Sequence, residues 1–541
     1  MDSNTIVQRY RQLESQRKSL DGVLNDIDRF VQPYRGEFFN DMLSEHQVDS
    51  RRIEIFDSTA ITACNLLASK IHSNLISPVT QWYRLRFRDN ELNTEPSAKE
   101  WLEDTEHRVW QEFTESNLNN AVGEMFKDIS SFGTSIFMQE QKDDIEWKGI
   151  EYNALPVMDS YFEMGPDDVP FRLYRKLRYT RLELEERFDL PEDLRIEDAE
   201  ESSVDAKIEV VFCVYQRHED TDNEDILKPE DRPFGYKYVM LSSKTEIEEG
   251  GYYQFPGMVV RWEKTAGSKW GNSPAMAQLS NIKQLNELAE QTSEARAKAI
   301  DPPMKTTDRG VIGDLDSNPG GITVVSEMDE LQPLFPPSDF SQADTERFQL
   351  QEYIRDAFFV TQLELKESPA MTATEVNARM EQTMRLMSTV ASRVQTDFMK
   401  PLLQFAVNLM LRQGRLMEMP ESVMGQDLDI QYTGPIPRAQ KSEIADGIIQ
   451  WLMEMAQLAE LFPEMLDIPD VDEAARTLQD LRGVPAELAH TQDEVDEIRA
   501  QRQEQQQQMQ EAQQVQMGGE AAKAAGEGAQ ALQAANLEAV Q

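Results

Sequence analysis

The sequence predicts a helix-rich α+β protein of several structural units, and three observations carry that prediction. Its 541 residues exceed what a single hydrophobic core organises, and 40% hydrophobic residues suffice for roughly two to four units. Long stretches repeat apolar residues at three- and four-residue steps, the period of one helix face. Between them the first half holds short runs rich in β-branched and aromatic residues, separated by Gly, Pro and Asp, which read as strands.

The elements follow in order. A helix to about Val31 carries Tyr10, Leu13, Leu20, Leu24, Ile27 and Val31 on one stripe, and Pro33 stops it. A second, from about Ser58 to Ile76, has Ile61, Cys64, Ala68, Ile71 and Leu75. From about Lys99 to Phe132 the pattern is again helical, with Trp101, Val109, Trp110 and Phe113 among many acids. Strands are expected at "GTSIFMQE", "IEWKGIEY", "KIEVVFCVYQR", "YKYVML" and "GMVVRWEK". From Ser273 a long helix runs to Ile300 with Pro274 in its first turn, extending roughly 40 Å. "DPP" stops it, and a Gly- and Pro-rich insertion to about Asp339 contains the short extended pieces "MKTT", "GITVV" and "LQPLF". The helix "SQADTERFQLQEYIRDAFF" follows, so that two long helices form an antiparallel pair with the insertion at its tip. Later, "LDIQYTGPIPRAQKSE" returns briefly to extended structure, helices resume to about Arg499, and a Gln- and Ala-rich tail reads as frayed helix or disorder.

Composition narrows the function. A net charge of −44 excludes a protein that grips duplex DNA through a basic face. The acidity fits either a channel whose walls do not retain DNA or a surface that keeps a large assembly dispersed. No apolar run approaches the ~18 residues of a membrane span, and the polar N-terminus has no signal-like apolar stretch, so a cytoplasmic product with no membrane partner is expected. Cys64 and Cys213 sit on apolar patterns and read as core residues. His46, His72, His107, His218 and His490 form no ligand motif, and no metal or other cofactor is expected. "AGSKW" superficially resembles a phosphate loop but lacks the upstream glycine and the Gly-Lys-Ser/Thr ending. No G-x-S-x-G elbow exists either, and the chain reads as a non-enzyme. Met410, Met417, Met419 and Met424 fit core filling or an adaptable binding surface.

One helix entrance carries unusual local detail. In "SPAMTATEVNARMEQTMRLM", Thr372 and Glu375 have capping-box spacing, and Met371 and Val376 stand at the hydrophobic-staple positions. Pro369 disfavours helix for the residue before it, predicting a sharp turn out of "TQLELKES". Val376, Met380, Met384, Met387, Ala391, Val394 and Phe398 then share one helix face, and Pro401 should end or kink that helix, with a second piece continuing to Gly414. A loop, a fixed helix start and a kinked helix make a mechanical part; an ordinary core helix after an ordinary loop has the same pattern.

Several stretches, read in order, resemble one family. They are "IFDSTAITACNLLASKIHSNLISPVTQWYRL", "SSFGTSIFMQE", "WGNSPAMAQLSNIKQLNELAEQTSEARAKAIDPP", "MTATEVNARM" and "YTGPIPRAQKSE", spanning about Ile55 to Glu443. Together they resemble the portal, or head-to-tail connector, proteins of T7-like short-tailed bacteriophages. The resemblance implies a viral portal fold, closing into a cyclic ring, usually of twelve subunits, at one capsid vertex with double-stranded DNA passing through. On this chain it implies a wing over 1–272, stem helices over 273–300 and 341–359, and a clip over 301–340. It further implies a tunnel loop over 361–371, a kinked channel helix and return to the wing over 372–435, and crown helices over 436–500, leaving the tail 501–541. Partners so implied are the terminase large subunit, capsid and scaffolding proteins, tail adaptor proteins and internal core proteins. The location implied is the virion, after assembly in the host bacterial cytoplasm. Cap, staple and proline would anchor one end of the tunnel loop. Lys366, between acids, is the DNA-contact candidate, with a solvated lysine as the alternative. Lys283, Arg296 and Lys298 either ring the channel or pair with acids of a neighbouring subunit. The competing readings are a helical scaffold or assembly chaperone without a channel, and a phage nuclease or hydrolase.

Overall fold

The computed structural model describes residues 1–33, 54–89, 92–142, 146–188, 207–217, 228–306, 324–327, 332–333, 340–360, 387–426, 428–433, 435–459, 462, 464, 468–482, 494–495, 497–503 and 505. It is mixed α and β and divides into two units, Met1–Pro437 and Arg438–Gln541.

The first unit opens with α1 (Ser3–Phe30) and α2 (Thr59–Leu75), followed by β1 (Tyr83–Phe87). The helical stretch expected over Lys99 to Phe132 is present as two helices, α3 (Pro96–Glu115) and α4 (Leu118–Phe132). The break has a long-range cause: Asn117 pairs with the backbone of Tyr152, its Nδ2 donating to the carbonyl at 2.7 Å and its Oδ1 accepting from the amide at 3.0 Å. Strands then dominate: β2 (Thr134–Gln141), β3 (Ile150–Leu155), β4 (Ser160–Met164), β5 (Pro170–Tyr179), the short α5 (Arg181–Arg187), β6 (Ile208–Gln216), β7 (Phe234–Met240), β8 (Glu246–Tyr252) and β9 (Gly257–Arg261). They form a five-stranded sheet of order β4-β5-β6-β7-β8 and a three-stranded sheet of order β3-β2-β9, antiparallel throughout.

Period-two alternation explains how these sheets stack. On β6, Val211, Cys213 and Tyr215 pack with Ile6, Val7, Tyr10 and Leu13 of α1. The intervening Phe212 and Val214 pack with Ile136, Met138, Leu155 and Val259 of the three-stranded sheet. That sheet turns Phe137, Ile150, Tyr152, Met258 and Val260 to the main helical core. The layers are therefore helix, sheet, sheet, helices. Cys64 and Cys213 are both fully buried, as expected of core residues.

After the short β10 (Glu263–Lys264) and β11 (Gly271–Asn272) comes α6 (Pro274–Ile300), capped by Ser273, whose Oγ accepts from the Met276 amide at 3.0 Å. Two short strands, β12 (Met304–Lys305) and β13 (Gln332–Pro333), pair antiparallel, so the chain reverses before α7 (Ser341–Ala357), which packs on α6. A helical stretch from Met387 ends in α8 (Lys400–Arg412), and β14 (Leu428–Tyr432) pairs with β1. The extended structure expected through "TGPIPRAQKSE" stops at Tyr432. There α9 (Pro435–Ala459) begins, because prolines in a first turn lack only amide protons that the helix does not use. The second unit continues with α10 (Val471–Arg482).

Candidate functional site

The candidate site is the frame around the 361–386 segment. Lys366, Pro369, Met371, Thr372, Glu375 and Val376 lie outside the described residues, as does most of the insertion between α6 and α7. Both ends of the segment are described. On the near side α7 ends with Phe358 fully buried; Phe359 takes a left-handed φ of 58°, donating to the Asp356 carbonyl at 3.0 Å, and Val360 is buried. On the far side Met387 is buried and begins the stripe Met387, Ala391, Val394, Phe398, all of it in the core. The segment thus springs from two buried feet.

The helix does not stop at Pro401. It widens into a π turn over Gln395–Met399 and continues as α8, the Lys400 amide reaching back five residues to the Gln395 carbonyl. A proline inside a helix removes a donor and crowds the carbonyl four residues earlier, here that of Asp397, and a widened turn relieves that crowding. The π turn is held from several sides. Tyr432 donates to the Gln395 carbonyl at 3.2 Å, and Phe398 meets Phe137 edge-on at 4.9 Å between centroids. Asp397 lies 3.8 Å from the buried Arg261, whose other nitrogen is 3.7 Å from Asp168. Burial pushes the Asp397 carboxyl up, against the pull of Arg261 and Arg393.

A second part of the frame is polar and was not read from the sequence. Asn286 of α6 accepts from the Phe56 amide at 2.8 Å and donates to the Glu54 carbonyl at 3.1 Å. The neighbouring Asp57 accepts from Arg347 at 3.0 Å and Gln351 at 2.8 Å, both on α7, and from the Thr59 amide at 2.9 Å. Burial alone would push the Asp57 carboxyl up; the bonds from Thr59, Gln351 and Arg347 bring it below its ordinary value. Residues 54–57 thus tie both long helices to the start of α2. The only signal in the sequence was "FDST", a helix-start pattern whose partners lie more than two hundred residues away.

The basic candidates on α6 are placed individually. Lys283 pairs with Asp26 of α1, Arg296 with Asp344 of α7 at 2.5 Å, and Lys298 with Glu294 one turn earlier at 3.6 Å. Each has an acid on its own chain, and each keeps a large part of its side chain exposed. The methionines divide: Met410 is buried, Met419 packs against the core, and Met417 and Met424 are exposed. Among the described residues no group of His, Cys, Asp and Glu could hold a metal ion, and no helix is long and apolar enough to cross a membrane. The arrangement fixes the chain on both sides of the 361–386 segment in the core.

Known proteins share this chain's sequence at length. It is 25% identical over 496 residues to a probable portal protein of Bordetella phage BPP-1, covering 89% of this chain and 88% of that one. It is 25% identical over 510 residues to the portal protein of Salmonella phage epsilon15, covering 91% and 90%. Among solved structures it matches a chain from the neck of an empty GTA particle computed with C6 symmetry, at 10% identity and a TM-score of 0.35, covering 72% of this chain and 86% of that one. Residues 3–489 match the family described as bacteriophage head to tail connecting protein, and the chain belongs to that family.

Proposed function

We propose that this chain is a portal subunit: copies close head to tail into a ring, twelve by the family resemblance, at one vertex of a phage capsid. Double-stranded DNA passes through the ring during packaging and ejection. The observation that carries the reading is the match over residues 3–489, joined by relatives named as a probable portal protein and a portal protein over 88% and 90% of their length. The two buried feet of the 361–386 segment add support, because a finger that touches DNA needs a base that does not wander.

In this reading α6 and α7 are the stem and the insertion between them is the clip. The clip docks the terminase large subunit first and tail adaptor proteins afterwards. The helices after Pro435 are the crown, turned to the capsid interior and its core proteins, while the sheets form the wing that meets capsid and scaffolding proteins. Lys366 makes the DNA contact. With Lys283, Arg296 and Lys298 each beside an acid of the same chain, the stem contributes little net positive charge and lets DNA slide. Force for packaging comes from a separate ATPase.

Electron microscopy of the purified chain tests the reading. The expected result is an annulus of about twelve times 62.1 kDa with an opening that admits duplex DNA. A monomer or open filament would overturn it in favour of a scaffold. The loop-base role has its own test: replacing Thr372 and Glu375 by alanine should impair genome packaging, and normal packaging in that variant would remove it.

A further inference from the structure

The C-terminal unit leaves a helix-packing surface open. Along α9, Ile444, Ile448, Trp451, Met455 and Leu458 follow alternating steps of four and three residues, the 3.5-residue period that keeps one apolar seam against a second helix. A second seam of Ala445, Ile449, Leu452, Ala456 and Ala459 runs beside it, about 100° further round. Their cover differs. On the second seam the chain itself buries Ala445 completely, half-covers Ile449, Leu452 and Ala459 and leaves only Ala456 exposed; on the first it half-covers Ile448 and Met455 and buries nothing completely. Ile444, Trp451 and Leu458 are 57%, 40% and 41% exposed.

Two further observations choose the occupant. Charged residues make up 28% of the chain, yet Ile444–Ala459 holds only Asp446 and Glu454. Copies of a chain with net charge −44 repel over most of their surface, and this stretch lets two of them approach with the least repulsion. The second is geometric: head-to-tail closure needs two different surfaces on every subunit, and a helix with two seams can give one to its own chain and the other to a neighbour.

We propose that the open seam is an interface between copies of this chain. Ile444, Ile448, Trp451, Met455 and Leu458 of one copy seat against the helices within residues 435–505 of the next. The inference rests on the ring reading and adds to it a specific contact in the C-terminal unit. Apolar burial drives the contact, and the aromatic Trp451 at its centre is the anchor.

The test uses full-length chain with the photo-crosslinking amino acid p-benzoylphenylalanine at Trp451 or, on another side of the helix, at Gln457. Ordinary and isotopically heavy chains are assembled together and then irradiated. Position 451 should give covalent multiples of 62.1 kDa, joining light to heavy peptides within 435–505, with a yield about tenfold above that at 457. Leu458→Glu should lower the yield from 451 by a similar factor, while Met453→Glu, half a turn away, leaves it unchanged. Crosslinks confined to one chain, whether to 506–541 or to 1–437, would overturn the proposal, as would capture of another protein in place of a second copy, or equal yields at the two positions. Rings in micrographs without crosslinks between copies at 451 defeat this interface and leave the ring standing; loss of both defeats both.

Discussion

Strand β6, at the centre of the five-stranded sheet, is buried on both faces by its own chain, whereas α6 enters the core along its first half only. Strand β6 gives alternate residues to α1 and to the three-stranded sheet, and none of Val210 to Val214 is left to solvent. Beyond Thr292, α6 buries no residue at all, and its last residue, Ile300, is 85% exposed. Its fixed points all lie nearer its start or on its surface: Ala275, Ile282 and Leu285 in the main core, Asn286 against residues 54–56, and the ion pairs to α1 and α7. The contrast separates a part that is complete within one chain from a part whose outer half has no core of its own. In the ring we propose, that second kind of surface is where neighbouring subunits and DNA would have room to act.

The largest effect should come from opening the layered part. Phe137→Ala removes a fully buried ring packed on Tyr152 and Phe398, and should cost about 3–5 kcal/mol. The same truncation at Ile300 should stay within about 0.5 kcal/mol. Urea unfolding of both variants checks the pair, and equal losses would erase the contrast. Next comes the polar tie. Asp57→Ala leaves Arg347 and Gln351 without their acceptor and should cost about 2–3 kcal/mol. The Asp57 carboxyl titrates below its ordinary value of 3.8 in the folded chain. Its contribution is therefore complete above pH 3.8 and is lost as pH falls through the depressed folded value. Wild type and variant should converge in melting temperature at strongly acid pH, and a constant gap across that range would remove Asp57 from the tie.

Helices whose partners lie along one stripe were legible in the sequence: α1, α2, α6 and α7 begin and end within a few residues of where periodicity and prolines put them. The strands "GTSIFMQE" and "KIEVVFCVYQR" were legible because β-branched and aromatic residues dominate them. Strand β5, "PFRLYRKLRY", was not, because it is rich in charges that find partners across the sheet, Arg172 in Glu163 on β4, and Lys176 and Arg178 in Glu209 on β6. Strand β8 was missed for another reason. Gly250 reads as a breaker, yet a Cβ there would stand 2.3 Å from the Tyr236 ring, so only glycine lets that ring lie across the strand. Arg17 was not picked out from the sequence; it is buried, donating to the Val157 carbonyl at 2.8 Å and the Met158 carbonyl at 2.5 Å. Of the candidate site, the stripe from Met387 to Phe398 was visible as a pattern, while the Asp57 and Asn286 ties depend on residues far apart in the chain. No local window could join them.

A smaller effect tests whether burial always helps the layered part. Glu106 accepts from the Leu85 amide beside β1, and burial raises its carboxyl to about 7. A folded value above the ordinary 4.5 means that ionising Glu106 works against folding, so the penalty grows as pH rises from 4.5 and is complete above 7. Glu106→Gln keeps an acceptor for Leu85 and should gain about 1–2 kcal/mol at pH 8, with no gain below pH 4.5. A gain independent of pH would assign the effect to packing instead.

The smallest expected effect lies on the outer part of α6. Arg296 and Asp344 are 42% and 50% exposed, so water and salt screen their attraction, and Arg296→Ala should change stability by no more than about 0.5 kcal/mol. That weakness makes the variant useful. Because the isolated chain should unfold at an unchanged urea concentration, any loss of ring formation or packaging would arise between chains or between chain and DNA. Adding the same change at Lys298 should leave unfolding alone as well, since its pairing with Glu294 is more exposed still. Unfolding that shifts by several kcal/mol in either variant would show that the outer part of α6 depends on its own chain after all, and the contrast with the sheet would fail there.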